Sequence, residues 1–459
     1  MPGAFHGLNM ASNALRAFQR ALDVTGHNIA NVNTVGYTRQ SIEFSENDPT
    51  KFWMGGVHAL GNGVTISSVN RIRDAFLDQR KLSATGDTGK FLQMADTLRG
   101  VESLYLEPGG SGIADAMNKF FNSWSSLASN PNEPTARMQV QQAGSDLANK
   151  VRTTYLAMKD QATFVNDSIK DTLNQVSNLS KQIADLNSQI RHKQAEGMEP
   201  NDLKDLRDQA LRDLGQLVDI HTFDQSDGSV TVYMNQLTLV DGAGAVPTPM
   251  TFNTATNTIS DATGTFDVRS GKLRALFESA EQIKVYQGNL DSLANEMRTQ
   301  INTVHMTGIN PLGNTGVRFF NDSTPQSGAI DFGLDPAVAA DPQAIVSSVT
   351  GVSGDGGLAL SLSALRDQPQ STLGNVTFSR YFDNMVSDIG RKTQYWEAQV
   401  STQQAMNEQI DNQVQAVSGV SLDDEMANML RFQRSYQAAA KALSIFDQTT
   451  EDLINLIRR

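Results

Sequence analysis

Apolar residues recur near the start of the chain with the spacing of a helix that packs against another helix. The residues that share this spacing are Leu8, Ala11, Leu15, Phe18, Leu22, Thr25, Ile29 and Val32. Their alternating steps of three and four residues place the side chains on one face, which is the pattern of a coiled-coil seam. The pattern predicts a helix over residues 4–32 whose apolar face needs a partner.

A second seam of the same kind lies at the other end of the chain. Its members are Met429, Phe432, Tyr436, Ala439, Leu443, Phe446, Thr450, Leu453 and Ile457. Ser421 followed by Asp424 resembles a capping box, and it predicts the start of a terminal helix just after Gly419. The two seams predict a terminal coiled-coil pair. Small residues outside the seams are expected to let further helices approach, and they include Ala14, Ala17, Ala21, Ala438, Ala440 and Ala442.

The first predicted helix runs into the segment 30–40, which reads ANVNTVGYTRQ. Asn side chains bond nearby backbone groups, and Gly36 accepts a positive φ without strain, so the segment predicts a tight helix stop. The four residues after Gly36, Tyr37-Thr38-Arg39-Gln40, are not needed merely to end the helix. Among them, the planar guanidinium of Arg39 is suited to carboxylate or carbonyl partners.

Helical periodicity also dominates the middle of the chain. The longest predicted helix, which Pro134 opens, covers roughly 55 residues or about 80 Å at 1.5 Å per residue. Gly86 and Gly89 are expected to weaken the helix at 71–106 by about 1 kcal/mol each relative to Ala. Other helices are predicted near 113–127, 203–217, 271–307, 358–365 and 376–418.

Short extended segments interrupt these helices. Residues 37–46 and 64–66 alternate like strands, and Asp227-Gly228 is a hairpin signal between 220–223 and 230–233. The predicted fold is mainly α, a long-helix bundle with a small inserted β region and a terminal coiled-coil pair. The predicted domains are 1–46 with 419–459 for the terminal pair; 47–217, 271–307 and 357–418 for the bundle; and 218–270 with 308–356 for the β-rich region.

Two stretches carry a family resemblance. The segment 30–40, following an N-terminal helix, resembles the signature of bacterial flagellar rod, hook and hook-associated proteins. The run GVSLDDEMANMLRFQRSYQAAAKAL at 419–443 is similar to that family's C-terminal signature. The Gly-Tyr-Thr-Arg-Gln ending at 36–40 and the helical middle resemble the hook-associated members more than the hook protein. The resemblance implies a structural subunit at the hook–filament junction, needed for filament assembly and motility.

The resemblance also implies an assembly interface, partners and a location. The implied interface residues are Leu8, Leu15, Phe18, Leu22, Ile29, Asn31, Asn33, Thr34, Gly36, Tyr37, Arg39, Met429, Phe432, Tyr436, Leu443, Phe446, Leu453 and Ile457. The implied partners are like subunits in a ring, the hook protein, a second hook-associated protein, and an export chaperone on the C-terminal segment. The implied location is the extracellular flagellum, reached by export without a cleaved signal peptide.

Composition narrows the class of protein. The chain has 459 residues, a net charge of −13 and no cysteine. The negative charge disfavours nucleic-acid binding, which needs a basic face, and the lack of cysteine excludes disulfides and thiol chemistry. Residues 1–9 contain neither a charged nor an apolar region of a secretory signal, and no apolar run is long enough to span a bilayer.

The sequence offers no catalytic constellation. The six histidines do not pair at helical spacing, and the Gly-rich stretches at 109–112 and 354–357 match neither a nucleophile elbow nor a phosphate-binding loop. We therefore expect no enzyme activity, no metal and no cofactor. The alternatives that stay open are a hook or distal-rod protein, a non-flagellar coiled-coil scaffold, and a rod-associated cell-wall hydrolase.

Overall fold

The computed structural model describes residues 3–53, 57–105, 112–235, 237–242, 250–253, 256, 258–260, 264–322 and 328–457. Most of them are helical, which confirms the predicted fold class. The helices are α1 (Gly3–Ala30), α2 (Ala75–Tyr105), α3 (Ile113–Ser129), α4 (Pro134–Ala195), α5 (Asn201–Leu217), α6 (Gly271–His305), α7 (Pro336–Ala340), α8 (Gly357–Ala364), α9 (Phe378–Ser418) and α10 (Leu422–Ile457).

Short antiparallel sheets join and flank these helices. The strands are β1 (Gln40–Glu46), β2 (Thr50–Trp53), β3 (Val57–Leu60), β4 (Val64–Arg71), β5 (His221–Asp224), β6 (Val230–Met234), β7 (Leu237–Val240), β8 (Thr251–Asn253), β9 (Thr258–Ser260) and β10 (Thr265–Phe266). They pair as β1–β4, β2–β3, β5–β6–β7 and β8–β9–β10. Gly228 has φ +80° in the predicted hairpin between β5 and β6, so that turn is confirmed.

The helix α4 is the spine of the bundle. It has 62 residues, which corresponds to about 93 Å. Its apolar positions at helical spacing are buried, as the sequence predicted, and they include Val151, Met158, Val165, Ile169, Val176, Ile183 and Ile190. The helices α3, α5 and α6 pack along α4, while α2 packs against both α6 and α9. Burying these side chains, at roughly 1.5–3 kcal/mol each, is the main stabilisation of the bundle.

Aromatic side chains close one end of the bundle. Phe319 lies with its ring centroid 5.5 Å from that of Phe120, 5.2 Å from that of Trp124 and 4.9 Å from that of Phe320. All four side chains are fully buried. The segment that carries Phe319 and Phe320 is therefore fixed against α3, although it contains little regular secondary structure.

This packing differs from the sequence prediction, which placed residues 308–356 beside the 218–270 β region. Arg137, near the start of α4, donates to the carbonyl oxygen of Ile345 at 3.0 Å. Asn187 donates to the carbonyl oxygen of Val230 in β6 at 2.8 Å. About fifty residues of α4, or roughly 75 Å, separate these contacts. Residues 308–356 and the 218–270 region therefore lie at opposite ends of α4. Burial of Phe319 and Phe320 positions the irregular segment 308–356, and hydrophobic periodicity does not encode that burial.

The predicted boundary between residues 46 and 47 also differs from the structure. Gln40–Glu46 pairs along its whole length with Val64–Arg71, with Gln40 opposite Arg71 and Glu46 opposite Val64. The strand β1 follows the N-terminal helix, and β4 leads into α2. The β1–β4 ladder therefore belongs to both parts of the predicted division, and it connects them.

The glycines of α2 have a packing role that helix propensity alone did not show. A Cβ atom at Gly89 would lie far inside contact distance of the carbonyl oxygen of Gln216, at the end of α5. Gly100, in the same helix, faces only the flexible side chain of Gln161 at an ordinary contact distance of 3.4 Å. Gly89 therefore allows the backbones of α2 and α5 to approach closely, whereas Gly100 does not serve that purpose.

We predict that Gly89→Ala lowers the free energy of unfolding by about 1–3 kcal/mol, because the methyl group forces α2 and α5 apart. The matched variant Gly100→Ala should raise it by roughly 0.5–1 kcal/mol, because alanine is the better helix former. Urea unfolding of both variants measures the two effects. Equal effects of the two substitutions would contradict the close-approach role of Gly89.

His305, at the end of α6, is fully buried as a neutral imidazole. Its Nδ1 lies 2.7 Å from the carbonyl oxygen of Val317 and so carries the proton, while its Nε2 accepts from the backbone N–H of Val346 at 3.0 Å. Burial lowers the pKa of His305 from 6.5 to about 4. Between those values the unfolded chain binds a proton that the folded chain does not bind. The contribution of neutral His305 to the free energy of unfolding is therefore fully present above pH 6.5. It is lost as the pH falls to about 4.

We predict that this histidine accounts for about 3 kcal/mol of the unfolding free energy lost between pH 6.5 and pH 4. His305→Gln should be less stable at pH 7, but its further loss across that interval should be smaller than in the unsubstituted chain by about that amount. Urea unfolding at both pH values measures the difference. Parallel pH profiles for the two proteins would contradict the assignment.

Candidate assembly site

The terminal helices pack against each other as an antiparallel pair within one chain. Gly7, near the start of α1, lies against the ring of Phe446, and Asn28, near its end, bonds Glu425 in the first turn of α10. The strand β1 adds a third element, since the ring of Phe44 lies 5.9 Å from that of Phe18 and 6.0 Å from that of Phe432.

The inner line of α1 shares only Ala11 and Thr25 with the predicted seam. The buried residues of α1 are Gly7, Ala11, Ala17, Ala21, Thr25 and Asn28. Leu8, Leu15, Leu22 and Ile29 are half-buried and flank that line, together with Phe18. The physical reason is size, because small residues let two helix backbones approach closely and leave the leucines on the shoulders of the contact. The sequence analysis placed Ala17 and Ala21 outside the seam. In the structure they lie inside the packing.

The α10 residues of the predicted interface are distributed unevenly. Met429, Phe432, Tyr436, Leu443 and Phe446 are half-buried along the side that faces α1, and Leu453 is exposed. The side chain of Ile457 lies outside the described part. The buried positions on this side are Glu425, Ala439 and Thr450. The predicted steps of three and four residues therefore do describe the face of α10 that meets α1.

The loop 31–40 turns as its residues predicted. Gly36 has φ +82°, in the left-handed region. The side chain of Asn31 donates to the carbonyl oxygen of His27 at 3.0 Å, and the hydroxyl of Thr34 donates to Asn31 Oδ1 at 3.0 Å. Asn33 and Thr34 are exposed. The asparagines thus satisfy the end of α1 locally, while Gly36 reverses the chain.

Asn28 is the centre of a buried polar cluster. Its amide nitrogen donates to the carbonyl oxygen of Gln40 at 2.9 Å and to Glu425 Oε2 at 3.2 Å. Its amide oxygen accepts from the backbone N–H of Gln40 at 3.0 Å and from the hydroxyl of Tyr37 at 2.7 Å. Both donor and both acceptor positions of the side chain are used. Burial, with the nearby carboxylates, raises the pKa of Tyr37, so this hydroxyl keeps its proton.

Arg39 and Glu425 connect this cluster to the C-terminal segment. Arg39 Nε donates to Glu425 Oε1 at 2.7 Å, and only 3% of the Glu425 side chain is exposed. The backbone N–H of Arg39 donates to the carbonyl oxygen of Ser418, at the end of α9. A carboxylate this deeply buried needs a charged partner and further donors, and Arg39 and Asn28 supply them. The predicted carboxylate partner of Arg39 is thus Glu425.

The helix α5 contributes acidic residues on the bundle side. Asp205 accepts from the backbone N–H of Thr38 at 3.1 Å and from Arg71 at 2.7 Å. Asp208 accepts from the same guanidinium at 2.7 Å. Burial raises the pKa of Asp205, and the bonds from Arg71 and Thr38 oppose that shift.

We call Asn28, Tyr37, Arg39, Glu425, Asp205 and Arg71 the junction cluster, because together they join the terminal pair to the bundle.

Sequence reasoning identified two members of this cluster, Tyr37 and Arg39, and missed the rest. Asn28 follows Ala21 by seven residues on the inner line of α1, so a polar residue at an interior helix position was the available signal. Glu425 lies in a run of three acidic residues, which looked like an ordinary helix first turn. Within the described residues, no group of His, Cys, Asp or Glu is arranged to hold a metal ion, and none of the helices is apolar enough to cross a membrane.

Comparison with known proteins shows what these elements are similar to. The model of the flagellar hook-associated protein FlgK helical domain matches residues 98–320. Flagellar hook-associated protein 1 of Bacillus subtilis is 29% identical over 99% of both chains. That of Salmonella typhimurium is 27% identical over 98% of this chain and 99% of the relative. The chain is therefore similar, along nearly its whole length, to flagellar hook-associated protein 1.

Two further family models match the ends of the chain. The flagella basal body rod protein model matches residues 8–38, and the flagellar basal body rod FlgEFG protein C-terminal model matches 411–456. Asn28 and Tyr37 lie in the first of these regions, Glu425 in the second and Asp205 in the helical domain. The junction cluster is therefore where the three matched regions meet.

A solved structure supports the same fold. The flagellar hook junction protein FlgK from Burkholderia pseudomallei matches with a TM-score of 0.65 at 16% identity, over 74% of this chain and 100% of that one. The alternative of a hook or distal-rod protein is not favoured, because the family model that matches residues 98–320 is that of the hook-associated protein FlgK helical domain.

We predict that Glu425→Gln weakens the attachment of α10 to α1 and the loop that follows it. Both partners of this carboxylate, Arg39 and Asn28, are donors, and the amide group of glutamine would direct a third donor toward one of them. The opening free energy of the α10 amides should fall by about 2 kcal/mol. Native-state hydrogen exchange measures this quantity. Asp424→Asn, at the exposed neighbouring position, is the control and should leave it unchanged; equal protection in both variants would contradict the role of Glu425.

Proposed function

We propose that the chain is the structural subunit that joins the flagellar hook to the filament as the first junction protein, and that filament assembly and motility need it. The observation that carries this proposal is the exposed terminal pair. Large apolar side chains point away from the α1–α10 contact, with exposed fractions of 64% for Phe5, 57% for Leu430 and 56% for Met426. Such a surface, in a chain similar to flagellar hook-associated protein 1, fits contacts with neighbouring subunits.

The proposed mechanism is docking. The terminal pair enters the axial lattice beside the terminal pairs of like subunits, and the residues around its seam form the assembly interface. The junction cluster then sets the angle at which the bundle leaves that lattice. The bonds of Asp205 in α5 to the backbone of Thr38 and to Arg71, together with the ion pair of Arg39 with Glu425, hold this angle with little freedom. The small sheets β5–β7 and β8–β10, on the flank of the bundle, are proposed to face outward.

The partners follow from this placement. We propose the hook protein on one side of the ring, a second hook-associated protein on the other, and an export chaperone on the C-terminal segment before assembly. The location is the extracellular hook–filament junction, reached by flagellar export. In this role the subunit acts by binding alone, without catalysis, a metal or a cofactor.

A strain that lacks the gene tests the proposal. We expect its cells to make hooks without attached filaments, because the first junction layer is missing. The unsubstituted chain should restore filaments. Electron microscopy of isolated hooks scores the fraction that carries a filament. Normal filaments in the deletion strain would overturn the proposed function.

Leu22→Asp should fail to restore filaments, because a carboxylate on the shoulder of the α1–α10 contact opposes packing of the terminal pair. Thermal melting of the bundle should stay nearly unchanged, since Leu22 lies outside it. The control is Leu156→Asp, which makes the same change at a site on α4 that is 40% exposed and should restore filaments. Filaments in the Leu22 variant would show that the terminal pair does not carry assembly.

A further inference from the structure

A groove with an aromatic lining opens on one flank of the bundle. It has a volume of about 880 Å³ and lies between α6, α9 and the strands β9 and β10. Its lining includes Leu98, Phe277 and Trp396, and its rim carries Val285 and Tyr395, which are 53% and 54% exposed. An apolar hollow of this size with exposed apolar residues on its rim indicates a surface that a partner covers.

Phe164, in the middle of α4, is a large apolar side chain that is 64% exposed, and we call it the knob. A single exposed phenylalanine needs no explanation by itself. Asp160, one turn earlier on the same side of α4, is also exposed and forms no ion pair within the part of the chain that the structure describes. The knob therefore stands beside a carboxylate that has no charged partner among the described residues.

The knob and the groove lie on different sides of the bundle. Tyr155, nine residues or about two and a half helical turns before Phe164, lies near Asp291 of α6. Phe164 thus points to the side of α4 that faces away from α6, whereas α6 forms one wall of the groove. Gln161, which lies between these two directions on α4, packs against Gly100 of α2. One copy can therefore present its knob on one side while its groove receives a neighbour on another.

The knob and the groove also lie at the same level along the bundle. Tyr105, at the end of α2, marks a common level, because its hydroxyl lies 3.2 Å from the sulfur of Met158 in α4 and 4.0 Å from that of Met385 in α9. From this level both helices run alongside α2 toward its start. Phe164 is six residues past Met158, or about 9 Å. Lys392, which lines the groove, is seven residues past Met385, or about 10.5 Å.

We propose that Phe164 of one copy inserts into the groove of the next copy around the ring, with the bundles side by side and parallel. This inference rests on the proposed function and specifies the contact between like subunits. The contact joins two different surfaces and is therefore heterologous. A rotation about an axis parallel to the bundles carries each copy onto the next and keeps every residue at its level. Each copy then donates one knob and accepts one, and the ring closes without any two-fold axis.

The charges beside the groove fit this occupant. Arg391 and Lys392 share the single carboxylate of Asp388. Arg391 also lies one turn from Tyr395, on the same side of α9. This part of the rim therefore carries a net positive charge at the level that the knob reaches. Asp160 of the inserted copy lies one turn from the knob and supplies the opposite charge, and such complementarity steers the two surfaces into one register.

Phe164→Asp tests the contact in the strain that lacks the gene. The fraction of hooks with filaments should fall at least roughly tenfold, because a carboxylate replaces the apolar knob in an apolar groove. Leu156→Asp is the matched control, since it places the same carboxylate on the same helix at a 40% exposed site about 80° away around α4. The control should restore filaments, as should Phe164→Leu, which keeps an apolar knob.

The outcomes separate this inference from the proposed function. Equal filament fractions in Phe164→Asp and Leu156→Asp, with filamentless deletion cells, would overturn the inference alone. Filaments in the deletion strain itself would instead overturn the proposed function. Thermal melting followed by circular dichroism should be alike in both variants, because both positions are on the surface of the bundle. A lower melting temperature in Phe164→Asp alone would show that Phe164 packs within its own chain, and it would also overturn the inference.

Cysteine cross-linking shows which surfaces meet, because the chain has no native cysteine. Cysteine, like leucine, keeps the knob apolar, so these variants should assemble. Isolated flagella carrying Phe164→Cys with Val285→Cys should give a ladder of linked subunits with a short bismaleimide, because each heterologous contact joins one knob to the next groove. Phe164→Cys alone, and Leu156→Cys with Val285→Cys, should give none. Links from Phe164→Cys alone, dimers without a ladder, links to a different protein, or no links from the first pair would each overturn the inference.

Discussion

The buried carboxylate of Glu425 constrains the whole arrangement of this protein. A charge with almost no solvent contact is tolerated only where opposite charge and hydrogen-bond donors are already in place. Here those donors are Arg39, on the loop after α1, and Asn28, near the end of α1. Both terminal segments must therefore be present and correctly turned before Glu425 can be buried. One ion pair thus couples the N-terminal helix, the loop and the C-terminal helix into a single unit.

The bundle adds a second requirement at the same place. Asp205 holds the backbone of Thr38 while it binds Arg71, which is the last residue of β4. The loop is thereby fixed from both sides, by α10 through Arg39 and by α5 through Thr38. A terminal pair attached through hydrogen bonds and ion pairs, and not through a broad apolar contact, has a defined direction and remains exposed for other contacts. Geometry of this kind suits a subunit whose bundle must project from a lattice at a fixed angle.

Local rules predicted the parts of this structure that depend on near neighbours in the sequence. Gly36, the Asp227-Gly228 turn and the long α4 periodicity followed from conformational preference and helical spacing. Contacts between distant segments did not follow, because no local pattern joins Arg39 to Glu425 or Asn28 to its partners. The position of residues 308–356 likewise depends on where Phe319 finds an apolar surface. Ala17 and Ala21 were placed outside the seam because the leucines, being larger, dominated the pattern.

The small residues on the inner line of α1 decide how the terminal helices meet. Residues such as Ala11 and Ala21 let the backbones of α1 and α10 approach closely without deep interlocking of large side chains. The large apolar side chains of the pair therefore remain on the shoulders of the contact or on its outer surface, where Met426 and Leu430 are more than half exposed. A terminal pair built in this way satisfies its own inner contact and still keeps apolar surface for further contacts.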